Sequence, residues 1–90
     1  MRILLIEDEK ITRISLSNTL KKEGYQVSSS ETAREGLELF RKQPFDVVIT
    51  DLRLPGMSGL DVLKEVKKHS PDCTVIMMTA YGTVETAVEA

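Results

Sequence analysis

The sequence predicts an α/β protein: a doubly wound parallel sheet in the strand order 2-1-3-4. Three observations carry that prediction. Apolar runs of strand length alternate strictly with amphipathic segments of helical period, the pattern of parallel strands joined by crossover helices. Two of the apolar runs end in acids: Arg2-Ile3-Leu4-Leu5-Ile6 leads into Glu7-Asp8-Glu9, and Phe45-Asp46-Val47-Val48-Ile49-Thr50 leads into Asp51. In an open sheet of this kind, functional groups gather outside the carboxyl ends of the strands where the strand order reverses. An order that makes the first and third strands neighbours places both sets of acids in one crevice.

Each element has its own signal. Residues 2–6 read as a buried strand and residues 10–23 as a helix, closed by Gly24. Residues 25–29 form a weaker strand whose polar Gln26, Ser28 and Ser29 suit a sheet edge. Residues 32–42 are a helix with Ala33, Gly36, Leu37 and Phe40 on one face, and Thr32 with Glu35 makes a capping box. Residues 45–50 are the third strand. Residues 59–69 are a helix with Leu60, Leu63 and Val66 inward and Ser58 as N-cap. Beyond Pro71, residues 73–78 are the fourth strand, and Thr83 opens a last helical segment that runs to the end of the chain. There are no internal repeats, low-complexity tracts or linkers.

Composition narrows the function classes. Ninety residues, with 41% hydrophobic content, allow one small domain with a real core. A net charge of −2 gives no electrostatic reason to expect nucleic acid or an anionic membrane as partner. No apolar run approaches the roughly 20 residues of a membrane span, and the N-terminus lacks the layout of a signal peptide. The single cysteine, Cys73, cannot form an internal disulfide and fits a reducing, cytoplasmic setting as an apolar filler. His69 reads as a helix-end cation. The lysines at 21, 22, 64, 67 and 68 read as solvated faces, and Met77 and Met78 as strand packing.

The acids carry the chemistry. A carboxylate cluster repels itself unless protons or a cation compensate it. Mg²⁺ takes a near-octahedral shell of hard oxygens and keeps several waters, so Glu7, Asp8 and Asp51 with a loop carbonyl would suit it. An aspartate beside such a metal can act as a nucleophile toward a phosphoryl group. Thr79 follows the fourth strand at the same rim, where its hydroxyl could donate to a phosphoryl oxygen. Taken alone, Thr79 reads better as a strand terminator or cap, and Glu7-Asp8-Glu9 equally well as a solvated acidic loop.

Three stretches resemble the receiver domain of bacterial two-component response regulators. They are Ile3-Leu4-Leu5-Ile6-Glu7-Asp8, then Asp46-Val47-Val48-Ile49-Thr50-Asp51-Leu52-Arg53-Leu54-Pro55-Gly56-Met57-Ser58-Gly59, then Val75-Ile76-Met77-Met78-Thr79-Ala80-Tyr81-Gly82. The tail from Thr79 to Ala90 is similar to receivers of the NtrC-like group, which activate transcription with an alternative sigma factor. The resemblance implies a flavodoxin-like fold, with Asp51 as phosphoacceptor and Thr79 as a switch hydroxyl. It implies Mg²⁺ held by Asp8, Asp51 and the backbone carbonyl of Arg53, with Glu7 holding metal-bound water. It also implies a sensor histidine kinase as phosphoryl donor and an output domain under control of the switch.

The resemblance covers residues 1–90 as one receiver domain, yet the family pattern continues further. A complete receiver has a fifth strand and fifth helix, with a lysine that contacts the phosphoryl group and an aromatic switch residue. None of these has a counterpart here, so the expectation is a truncated receiver lacking strand 5 and helix 5. Its fourth strand would then be an exposed edge, and Ile11, Ile14 and one face of that strand would be uncovered. Self-association, as a dimer or by exchange of an element, is expected, and phosphorylation is expected to be impaired. Two alternatives differ in class. One is an interaction or oligomerisation fragment that is never phosphorylated. The other is an aspartyl-nucleophile phosphohydrolase, whose Asp-x-Asp pattern after the first strand is not matched by Glu7-Asp8-Glu9. Turnover of a separate substrate is not expected.

Overall fold

The computed structural model describes residues 1–79 and 82–85. The chain runs β1 (Arg2–Ile6), α1 (Lys10–Lys22), β2 (Gln26–Ser30), α2 (Ala33–Lys42), β3 (Val47–Asp51), β4 (Arg53–Leu54), β5 (Met57–Ser58), α3 (Gly59–His69), β6 (Thr74–Thr79) and β7 (Gly82–Glu85). The main sheet is ordered β2-β1-β3-β6-β7, and its first four strands are parallel. This is the expected order, with the strand after α3 in fourth place.

One edge differs from expectation. Residues 82–85 do not open a helix; they form β7, antiparallel to β6, with Thr79 opposite Gly82 and Ile76 opposite Glu85. The outer edge of β6 would otherwise present a row of unpaired backbone groups, and the β-branched Thr83 and Val84 suit a strand. The edge that was expected to stand open is therefore paired from Ile76 to Thr79. The remainder of the expected last helix, residues 86–90, lies outside the described residues, as do Ala80 and Tyr81.

Alternation along the strands divides the core into two faces. Leu4 and Ile6 of β1, Val48 of β3 and Val75 of β6 join Ala33, Leu37 and Phe40 of α2 and Val62 and Val66 of α3 in one buried cluster. Gly36 brings α2 onto the sheet; a Cβ there would stand 2.6 Å from Ile6 Cδ1. The other face is covered by α1, which packs over β1 and β2. Ile3 and Leu5 are buried beneath it, whereas Val47, Ile49, Ile76 and Met78 on the same face are only half-buried. Leu16 and Leu20 of α1 turn partly inward, while Ile11 is 76% exposed and Ile14 48%.

Helix ends follow the sequence signals. Thr32 accepts from the Glu35 N–H, and Ser58 with Asp61 forms a full capping box. Gly24 takes the positive φ that ends α1. The inward stripe of α3 needs correction: Gly59, Val62 and Val66 are buried and Leu63 packs on the core, but Leu60 is 51% exposed. The stripe starts at Gly59, because its lack of a side chain lets the first turn of α3 rest on the backbone of residues 51–52. Spacing of 3, 4 and 7 from Gly59 then leaves Leu60 outside. Lys67 is corrected too. It is not a solvated surface residue, since its Nζ donates to the carbonyls of Pro71 and Cys73 and ties the helix end to the next strand.

Candidate metal centre and acceptor carboxylate

The sheet register brings the acids together. Ile6 is paired with Thr50 in the parallel β1–β3 ladder, so the next residues, Glu7 and Asp51, face each other across one strand spacing. One carboxylate oxygen each from Glu7, Asp8 and Asp51 lies within 4.8 Å of the others. Glu7 is buried, Asp51 half-buried and Asp8 exposed. Three hard oxygens at that spacing, open to solvent on one side, match a cation that keeps part of its water shell. The donor set fits Mg²⁺ and lacks the soft or imidazole ligands that favour transition metals.

Electrostatics point the same way. Burial pushes the Glu7 carboxyl above its usual range, and the charges of Asp51 and Asp8 add to that; the Glu9 N–H donating to it pulls in the opposite direction. Burial also raises Asp51, reinforced by Asp8. The cluster thus holds negative charge at a cost that a bound cation relieves.

The backbone around the cluster is tied at several points. The Glu7 N–H donates to Ser30 O (3.1 Å), and Leu52 N–H to Met78 O (2.9 Å). After Asp51 the chain makes a small hairpin: β4 pairs with β5 across Pro55-Gly56, and Gly56 has φ 78°. Pro followed by a positive-φ Gly is the signature of a type II turn. Arg53 sits in β4, two residues beyond Asp51. β6 ends at Thr79, one strand away from β3, so its backbone reaches the same rim. The Thr79 side chain lies outside what the structure describes.

Other sequence readings resolve simply. His69 Nε2 lies 3.8 Å from Glu65 Oε1 in the last turn of α3, far along the chain from the acids. Cys73 is a buried free thiol, and Met77 is buried in the strand. Two residues beside the cluster were not anticipated. Arg13 donates to the main-chain oxygen of Glu7, and Gly59 abuts the main chain at Asp51.

The family model described as the response regulator receiver domain matches residues 3–90. The chain belongs to that family. Among curated relatives, the regulatory protein AtoC of Escherichia coli is 43% identical over 89 residues, covering 99% of this chain and 19% of that protein. Sporulation initiation phosphotransferase F of Bacillus subtilis is 35% identical over 89 residues, covering 99% of this chain and 72% of that protein. The relatives include NtrC-like regulators, in line with the resemblance of the tail. This chain spans about a fifth of the length of AtoC. Among solved structures, the response regulator TrrA of Thermotoga maritima in complex with Mg²⁺-BeF has a TM-score of 0.83 at 40% identity, covering 89% of this chain and 70% of that one. The complex of histidine kinase ThkA with TrrA gives 0.82 at 40% identity, covering 90% and 70%. The beryllofluoride-activated NtrC4 receiver dimer gives 0.83 at 34% identity, covering 92% and 69%. Receiver domains are signalling switches, and the flavodoxin-like receiver fold seen here matches theirs. No helix among the described residues is long and apolar enough to cross a membrane.

Proposed function

We propose that this receiver accepts a phosphoryl group on Asp51 from a phosphorylated histidine of a partner kinase, with Mg²⁺ bound in the acidic crevice. The carboxylate triad of Glu7, Asp8 and Asp51 carries the reading. Asp8, Asp51 and the Arg53 carbonyl would ligate the ion and Glu7 would hold its water. When bound, Mg²⁺ supplies positive charge that offsets both the carboxylates and the transferring oxygens.

In the transfer, a carboxylate oxygen of Asp51 attacks phosphorus and the bond from phosphorus to the donor's imidazole nitrogen breaks. That nitrogen keeps the electron pair, and the donor leaves as a neutral imidazole whose other ring nitrogen carries a proton, taken up from solvent where it was not already there. The product is an acyl phosphate on Asp51. Thr79 would turn its hydroxyl to the new phosphoryl group and report it along β6 to an output domain that regulates transcription. The complex of ThkA with TrrA supports a kinase as partner, and the Mg²⁺-BeF complex of TrrA supports the cofactor. The buried free thiol of Cys73 suits a cytoplasmic setting.

A second partner is proposed from the half-buried face of β3 and β6 and from exposed Ile11 and Ile14: another copy of this chain. The NtrC4 receiver dimer supports association within the family.

Intact-mass spectrometry after incubation with Mg²⁺ and a small acyl-phosphate donor tests the main reading. A gain of one phosphoryl group that Asp51→Asn abolishes is expected. A folded, Mg²⁺-binding sample that gains no mass would overturn acceptor activity for this chain and leave an interaction module.

A further inference from the structure

The loop that carries Glu7 and Asp8 is held by hydrogen bonds to its main chain and side chains. Its entry is fixed by the Glu7 N–H donating to Ser30 O (3.1 Å), and the Glu7 carboxylate accepts from the Glu9 N–H (3.0 Å). The remaining polar group of Glu7, its main-chain carbonyl, accepts from Arg13 Nη1 at 2.9 Å. Arg13 reaches it from the second turn of α1, where its own N–H is bonded to Glu9 O (2.9 Å).

That carbonyl belongs to the peptide plane joining Glu7 to Asp8. The plane is rigid, so holding its oxygen fixes the direction in which the Asp8 Cα leaves it. We infer that Arg13 is a positioning residue for the metal-binding acids, clamping the Glu7–Asp8 peptide so that both carboxylates meet Asp51. Among the described residues the Arg13 guanidinium donates to the main-chain oxygen of Glu7 and not to a carboxylate; it acts through the main chain. The inference rests on the reading of Glu7, Asp8 and Asp51 as a Mg²⁺ site.

Charge and clamp make opposite demands, and this gives the test its power. A guanidinium next to an acidic cluster repels a second cation, so an electrostatic role alone means that removing Arg13 tightens Mg²⁺ binding. A clamping role means that removal weakens it, as loss of an outer partner of a metal ligand does. A role confined to folding lowers stability and leaves the affinity of the folded chain unchanged.

The experiment is a Mg²⁺ titration of the 90-residue chain and of Arg13→Met and Arg13→Lys, followed by the amide NMR shifts of residues 7–9 and 51–53, beside urea unfolding without metal. Both substitutions keep the apolar stem of the side chain. Arg13→Met is expected to weaken Mg²⁺ about tenfold in the folded protein, the lower end of the range for outer partners. Arg13→Lys, with one flexible donor, is expected to fall between it and the unaltered chain. Equal or tighter binding in Arg13→Met overturns the inference while leaving the metal site standing. If Arg13→Met does not fold, Arg13→Lys decides: affinity equal to that of the unaltered chain overturns the inference. No Mg²⁺ binding by the unaltered chain overturns the site reading and this inference together.

Discussion

A methyl group added at Gly59 would sit 2.5 Å from the main-chain oxygen of Asp51 and 3.0 Å from Leu52 Cα. Both are backbone atoms, so neither can swing aside. The Gly59 N–H is also bonded to Leu52 O at 2.7 Å, which holds the start of α3 against the loop after Asp51. The absence of a Cβ at this one position therefore sets how closely α3 approaches the acidic crevice.

Gly59→Ala should act on both stability and the site. Alanine favours a helix over glycine by about 1 kcal/mol, but overpacking against fixed atoms typically costs about 1–3 kcal/mol. The net expectation is a loss of about 0–2 kcal/mol in urea unfolding. Because the displaced atoms belong to Asp51, Mg²⁺ affinity should fall as well. Full stability with normal Mg²⁺ binding would show that α3 can retreat without moving Asp51.

The raised carboxyls of Glu7 and Asp51 give a pH dependence of definite sign. Each binds its proton more tightly folded than unfolded. Their contribution to stability is therefore full below about pH 4, the ordinary carboxylate range, and is lost as pH rises through the raised folded values. Asp51→Asn removes one of these charges. Without metal it should gain stability over the unaltered chain as pH rises, by an amount that solvent screening keeps small. Saturating Mg²⁺ should reverse the order, since a ligand at about 100 times its dissociation constant stabilises by about 2.7 kcal/mol. Urea midpoints for both proteins, with and without Mg²⁺, at several pH values check this. A pH-independent difference would mean that the cluster is not strained by its charge.

The cap of α3 provides a control that lies near the site without being part of it. Ser58 Oγ accepts from the Asp61 N–H at 3.3 Å, and the Asp61 carboxylate accepts from the Ser58 N–H at 3.2 Å. Ser58→Ala should cost about 1 kcal/mol. The hairpin turn Pro55-Gly56 and the Gly59 contact remain, so Mg²⁺ affinity should change little. A large loss of affinity in Ser58→Ala would show that the cap, as well as Gly59, sets the position of Asp51.

The acids and the strand order were legible in the sequence for the same reason. Apolar runs that end in carboxylates fix both the strands and the rim on which their functional groups stand, and the Ile6–Thr50 register brings Glu7 and Asp51 together as that pattern implies. The features that escaped the sequence work through the main chain. Arg13 bonds a carbonyl and Gly59 excludes an atom, and neither leaves a periodic trace. Leu60 fooled the helical pattern because the inward stripe begins at a glycine, which apolar periodicity does not count. Residues 82–85 were legible only as a helix opened by Thr83. The pairing that makes them a strand is supplied by the edge of β6.

The half-buried side of the sheet leads to the last prediction. Among the described residues, Val47, Ile49, Ile76 and Met78 are half-buried on the face where α1 packs over β1 and β2. Ile14, on α1, is 48% exposed, on a helix whose outer residues are otherwise mostly polar. Burying such a surface between two copies yields roughly 25 cal/mol for each Å² removed from water. The chain should therefore associate with itself as concentration rises. Ile76→Lys and Ile14→Lys should each move it toward monomer, and Ile14→Lys should do so with little change in urea stability, since about half of that side chain is already in water. Sedimentation velocity over a range of concentrations measures this. A chain that stays monomeric throughout would show that β7 and α1 shield the face well enough alone.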